Sequence, residues 1–236
     1  MIQVDKLNFK YNENIEVLKD ISISIASGER VGLIGFNGSG KTTLINLLLG
    51  ILKPESGSIK VADMVPNINN LSFKRHVGVA FDSANLVDYL AIIEYLQFVA
   101  ATYRPHKVID NDRINYYLQK FELLNFSYYL IKDLSHGTQK KVQLISAFLS
   151  QPAFLILDEP TNGLDFESTL ILEELIQLSP ASQAILVASH DFDFLDQACN
   201  KFYILNNGRL QCLSREKRTL RDDVVHILKK PCKLGA

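Results

Sequence analysis

"GFNGSGKTT", residues 35–43, lies between a short apolar run, "RVGLIG" (30–35), and a longer one, "KTTLINLLL" (41–49). The first reads as a buried strand ending at Gly35. The second has helical length and is closed by Gly50. Between strand and helix, the spacing Gly35-x4-Gly40-Lys41-Thr42 is that of a phosphate-binding loop. Its glycines let the backbone curl so that successive N–H groups face one phosphate. Lys41 can reach the β- and γ-oxygens of a nucleotide, and the Thr42 hydroxyl can ligate Mg²⁺. Asn37, Gly38, Ser39 and Thr43 complete the cradle. A glycine-rich turn that only starts a helix is the competing reading, and the flanking strand and helix argue against it.

Working outward, residues 2–9 and 20–26 alternate apolar and polar side chains, as half-buried strands do. "VGVAF" (77–81), "FLILD" (154–158) and "AILVAS" (184–189) read as buried strands. Between them, about 86–150 reads as a helical insert. "YLAIIEYLQFVAATY" (89–103) is its first helix. "DNDRINYYLQKFELL" (110–124) places Ile114, Tyr117, Leu118, Phe121 and Leu124 on one face. Residues 138–150 group Val142, Ile145 and Phe148. Asn207-Gly208 separates two strand-like runs, a hairpin signal. Residues 1–214 thus form an α/β domain with a mostly parallel sheet and an antiparallel N-terminal β-subdomain. The charged tail, 215–236, carries one short helix near 219–229.

With 47% hydrophobic and 22% charged residues, the composition is that of a globular protein and excludes a disordered one. The 25 basic residues against 26 acidic ones leave a net charge of −1, which does not suggest a nucleic-acid binder. Cys199, Cys212 and Cys232 are scattered and read as free thiols in a reducing compartment. The N-terminus lacks the apolar region of a signal peptide. The longest apolar runs, such as Ile45 to Leu52, fall well short of the ~20 residues of a membrane span.

"FLILDEP" (154–160) ends an apolar strand in two carboxylates. Alone, such a pair is as often a solvated turn. Beside a phosphate loop it makes sense as a nucleotide–Mg²⁺ site: Asp158 holds the ion through water, and Glu159 polarises the attacking water.

Together with "LSHG" (134–137), "TNGLD" (161–165) and "SHD" (189–191), these motifs make the chain resemble the ATP-binding cassette (ABC) ATPases over nearly its whole length. The resemblance implies a P-loop NTPase fold, ATP and Mg²⁺ as ligands, and a head-to-tail pair of subunits. It also implies roles. Tyr11 would stack on adenine and His190 would bond the γ-phosphate. Ser135 and Gly137 would cover the nucleotide held by the second subunit, and Asp165 would meet that subunit while also capping the helix that follows.

Three positions depart from the family pattern. Asp82 stands where the family has Gln, and as a charged, shorter group it would bind Mg²⁺ more tightly with less reach. The signature, usually L-S-G-G-Q, has His136 and Thr138 at two positions, with Gln139 one position on. "TNGLD" replaces a commoner S-A-L-D-type run. Asp82 and "TNGLD" are similar to the antibiotic-, lipid- and polysaccharide-exporting branches. The implied function is the ATPase subunit of an exporter. Its transmembrane permease would be a separate chain, and its partner cassette an identical or related copy. Its place would be the cytoplasmic face of the membrane. The competing readings are an importer ATPase and a soluble ABC ATPase acting on ribosomes or nucleic acid. The latter usually carries two cassettes or a long coiled-coil insert, neither of which stands here.

Overall fold

The N-terminal strand runs further than the alternation over residues 2–9 suggests, to Asn12, although its last three residues are all exposed. In the computed structural model, which describes residues 1–12, 15–103, 110–214 and 219–229, two eleven-residue strands form, β1 (Ile2–Asn12) and β2 (Ile15–Ile25). They are followed by β3 (Arg30–Ile34), α1 (Lys41–Leu48), β4 (Ser56–Val61), α2 (Leu71–Lys74) and β5 (Val77–Ala80). Among the described residues three α-helices come next, α3 (Ile92–Tyr103), α4 (Asn111–Lys120) and α5 (His136–Leu149), with short 3₁₀ turns at Leu124–Phe126 and Ile131–Asp133 before α5. The chain then alternates β6 (Phe154–Asp158), α6 (Phe166–Gln177), β7 (Ala184–Ser189) and α7 (Phe192–Ala198). It ends in the hairpin β8 (Lys201–Asn206) and β9 (Arg209–Leu213), then α8 (Leu220–Lys229). Cys232 lies outside the described residues.

β2, β1 and β4 pair as a three-stranded antiparallel sheet. The main sheet runs β5-β6-β7-β3-β8-β9, parallel except for β9. The hairpin closes on Asn207 and Gly208, both at positive φ (49° and 74°), as a tight type I′ turn requires.

Alternation along β6 and β7 divides two cores. Leu155, Leu157, Ile185 and Val187 face the helices α3 to α7. Phe154, Ile156, Leu186 and Ala188 face α1 and the antiparallel sheet. Both faces are covered, which is why these strands are apolar throughout.

One helical face differs from its pattern. Ile114, Tyr117, Leu118 and Phe121 are buried, but Leu124 is exposed. Glu122 takes φ 58°, which ends the helical register and turns Leu123 into the core instead. The tail helix is also less separate than its charge suggests, since Leu220 and Val224, four residues apart, join the helix-side core.

Candidate functional site

The parallel register sets Ile34 beside Ser189 and Asp158 beside Ala188. The carboxyl ends of β3, β6 and β7 therefore lie side by side, the usual ligand position in an open α/β sheet. Three loops leave from that edge: 35–40 from β3, Glu159 onward from β6 and His190 from β7.

In the first loop, Gly38 and Gly40 sit at φ 78° and 105°, in the left-handed region that glycine adopts readily. Gly35 is required by space, since a Cβ there would lie 2.9 Å from the backbone oxygen of Leu205 as well as 2.4 Å from Ser39 Oγ. Gly40 caps α1 with no side-chain hydrogen bond. The caps of α4 (Asp110), α5 (Ser135), α6 (Asp165) and α7 (Asp191) all supply one. The first N–H groups of α1 are thus left for an outside anion.

Lys41 is buried, and its Nζ donates to Gly35 O (2.7 Å) and lies 3.3 Å from Glu159 Oε1. Thr42 Oγ1 donates to Asp158 Oδ2 (3.2 Å). Burial pushes the Asp158 carboxyl above the usual carboxylate range, against the opposing hydrogen bond from Thr42. Glu159, also buried, takes φ 43°, a strained backbone for a non-glycine residue and a common mark of functional sites. Its Oε2 meets His190 Nδ1 (2.8 Å) and accepts from Ser189 Oγ (3.2 Å) and His190 N (3.4 Å). Asp82, exposed at the exit of β5, accepts from Asn162 Nδ2 (2.8 Å).

Tyr11, Phe36, Asn37, Gly38, Gly40 to Thr43, Asp82, Asp158 and Glu159 line one cleft of about 380 Å³. Tyr11 is held at its rim by Thr43 Oγ1 (3.1 Å) and edge-on to Phe9, with its ring largely exposed. The cleft suits both groups that the loop chemistry implies. Ser39 Oγ and Asp158 Oδ1 are buried without hydrogen-bond partners, a donor for phosphate and an acceptor for a cation. A hydroxyl and two carboxylates from Thr42, Asp158 and Asp82 form a hard oxygen set, as Mg²⁺ prefers.

Ser135 and Gly137 do not line this cleft. Ser135 caps α5, its Oγ accepting from Thr138 N (3.2 Å) and pairing with Thr138 Oγ1 (2.8 Å). Because a hydroxyl has one donor and two acceptor sites, Ser135 can still donate outward. Gln139 does not stand in for the missing signature glutamine: it points back to Ile131 O (3.0 Å). Gly137 packs so closely that a Cβ would lie 2.6 Å from Gly163 O. Asp165 caps α6 and pairs with Lys141 (2.9 Å).

Sequence reasoning missed Lys140. It is 1% exposed, and its Nζ donates to Phe81 O (2.7 Å) and Asp82 O (3.0 Å). Burial pushes its ammonium below the ordinary lysine range, and the carboxylates of Asp82, Asp158 and Glu159 oppose that shift. A lysine on the apolar side of "KKVQLISAF" was the available signal.

The "ABC transporter" family model matches residues 18–162, more than half of the chain. An "ABC transporter ATP-binding protein" of Clostridium acetobutylicum is 32% identical over 216 residues, covering 89% of this chain and 77% of the relative. An uncharacterised protein of the same description from Methanocaldococcus jannaschii is 31% identical over 209 residues, covering 88% and 75%. Among solved structures, one described as the ATP-binding subunit of an ABC transporter superposes with a TM-score of 0.87 at 26% identity, covering 97% of this chain and all of that one. The cbiO1 protein of Clostridium perfringens, part of a transporter complex, gives 0.74 at 26% identity, covering 96% and 91%.

Proposed function

Because this chain belongs to the ABC transporter family of ATP-binding ATPases, we propose that it powers export through a permease on a separate chain. Among the described residues no helix is long and apolar enough to cross a membrane, so the pathway for cargo would be the permease's. Its place would then be the cytoplasmic face, bound to that permease. Export rests on Asp82 and "TNGLD" alone.

The observation that carries the reading is Glu159, buried and gripped by Lys41, Ser189 and His190 beside the Thr42–Asp158 pair. Lys41 and the loop N–H groups bind the β- and γ-phosphates. Thr42, Asp158 and Asp82 would hold Mg²⁺, whose charge offsets that of the phosphoryl oxygens. Glu159 orients water for in-line attack. His190 turns Nδ1 to Glu159 and leaves Nε2 for a γ-oxygen; donating at both nitrogens requires the doubly protonated ring. Tyr11 supports the base. Ser135 and Gly137, away from their own cleft, would close on the nucleotide of a second copy.

Glu159→Gln tests this. It should bind ATP and dimerise while hydrolysis falls ~10²–10⁴-fold, the usual share of a general base. Full hydrolysis by that variant would refute the assignment.

A further inference from the structure

Two side chains of α5, Lys140 and Gln143, lie three residues apart and so share one helical face. Between them they hold three successive backbone carbonyls. Lys140 Nζ takes those of Phe81 and Asp82, and Gln143 Nε2 takes that of Ser83 (2.9 Å). These carbonyls lie just beyond the end of β5, where the sheet ladder no longer satisfies them. The Asp82 side chain, carried on this backbone, faces the nucleotide cleft. Five residues before Lys140, the same helix begins at Ser135.

We propose that Lys140, assisted by Gln143, is a positioning residue for hydrolysis: it clamps the Phe81–Ser83 backbone to α5 and so holds the Asp82 carboxylate at the cleft. This rests on hydrolysis at the Lys41–Glu159 cleft. The physical reason for a lysine here is the geometry of the two carbonyls. An ammonium has three donors on a flexible stem, and two of them reach adjacent carbonyl oxygens that no neighbouring strand can serve. A buried cation is costly, and burial at 1% exposure is tolerated because these oxygens and the nearby carboxylates compensate it. The clamp also makes α5 and Asp82 move together. Tilting the helix start that carries Ser135 would displace Asp82, and the reverse.

The test is a double-mutant cycle between Lys140→Met and Asp82→Ala, read as Mg²⁺-ATP turnover, fluorescent-ATP affinity and urea stability. Methionine fills the stem's volume without the charge. Lys140→Met should lower kcat about 10-fold while ATP affinity stays within about 2-fold, because Lys140 touches the backbone beneath the site and no phosphate-loop residue. Added to Asp82→Ala, it should cost no further turnover. Losses that multiply, or an Asp82→Ala protein as active as wild type, would overturn the clamp. So would a folded Lys140→Met protein with wild-type kcat. Gln143→Leu carries the same test if Lys140→Met does not fold. It removes a buried amide whose Oε1 already has no partner, and should give a smaller loss with the same non-additivity. A wild-type protein without Mg²⁺-dependent hydrolysis would instead refute the proposed function.

Discussion

Replacing Gly137 with alanine sets two effects of opposite sign against each other. Gly137 lies in the first turn of α5, where alanine is intrinsically better by roughly 0.8–1 kcal/mol. Helix propensity alone therefore predicts a more stable protein. The added Cβ, however, would lie 2.6 Å from the carbonyl oxygen of Gly163, about 0.8 Å inside ordinary contact distance. That oxygen is backbone, so a rotamer change cannot relieve the clash. Either the start of α5 or the 161–165 loop must move, and overpacking of this kind costs ~1–3 kcal/mol. The net expectation is a loss of up to ~2 kcal/mol in urea unfolding. The shift also reaches function, because the displaced elements carry Ser135 on one side and Asp165 on the other. Turnover should fall by at least about 10-fold, the cost of sub-ångström misplacement. A Gly137→Ala protein that gains ~0.5 kcal/mol or more and keeps its turnover would refute the close approach.

Asp158→Asn should raise the stability of the nucleotide-free protein at neutral pH while abolishing Mg²⁺-dependent hydrolysis. Burial raises the Asp158 carboxyl in the fold, so its contribution is fully present below the ordinary carboxylate range and is lost as pH rises through the folded value. The advantage of the variant in urea unfolding should therefore shrink toward acid pH. Asp165 runs the opposite way: hydrogen bonds from Lys141 first, then Ser168, hold its carboxyl below the usual range. Its stabilisation is present above the unfolded carboxylate range and lost as pH falls. Asp165→Asn keeps a good cap and should cost ~0.2–1 kcal/mol at pH 7, the worth of an exposed pair, with the gap closing in acid. Finally, iodoacetamide at pH 8 followed by peptide mapping should label exposed Cys212 and spare Cys199, whose thiol burial pushes up to about 12, until the protein is unfolded.

Much of the site was legible along the chain because its parts are short-range. The loop from Gly35 to Thr42 needs only positive-φ glycines and the start of a helix, both set within eight residues. The Asp158–Glu159 pair follows directly from an apolar strand. Other features depend on residues far apart in sequence. Glu159 is held by Ser189 and His190, 30 and 31 positions away, and Lys140 reaches back 58 and 59 positions to Asp82 and Phe81. Leu124 failed its pattern because Glu122 left the helical conformation, a local event that apolar periodicity does not report.

The sequence by itself determined the phosphate loop, the acid pair and the alternation of strands with helices, since each is written in neighbouring residues. Only the tertiary structure decided that Gly137 has no room for a Cβ, that Gln139 turns inward, and that a buried lysine carries the backbone of Asp82. Those depend on which surfaces the folded sheet and helices bring within bonding distance, and no stretch of neighbouring residues encodes that.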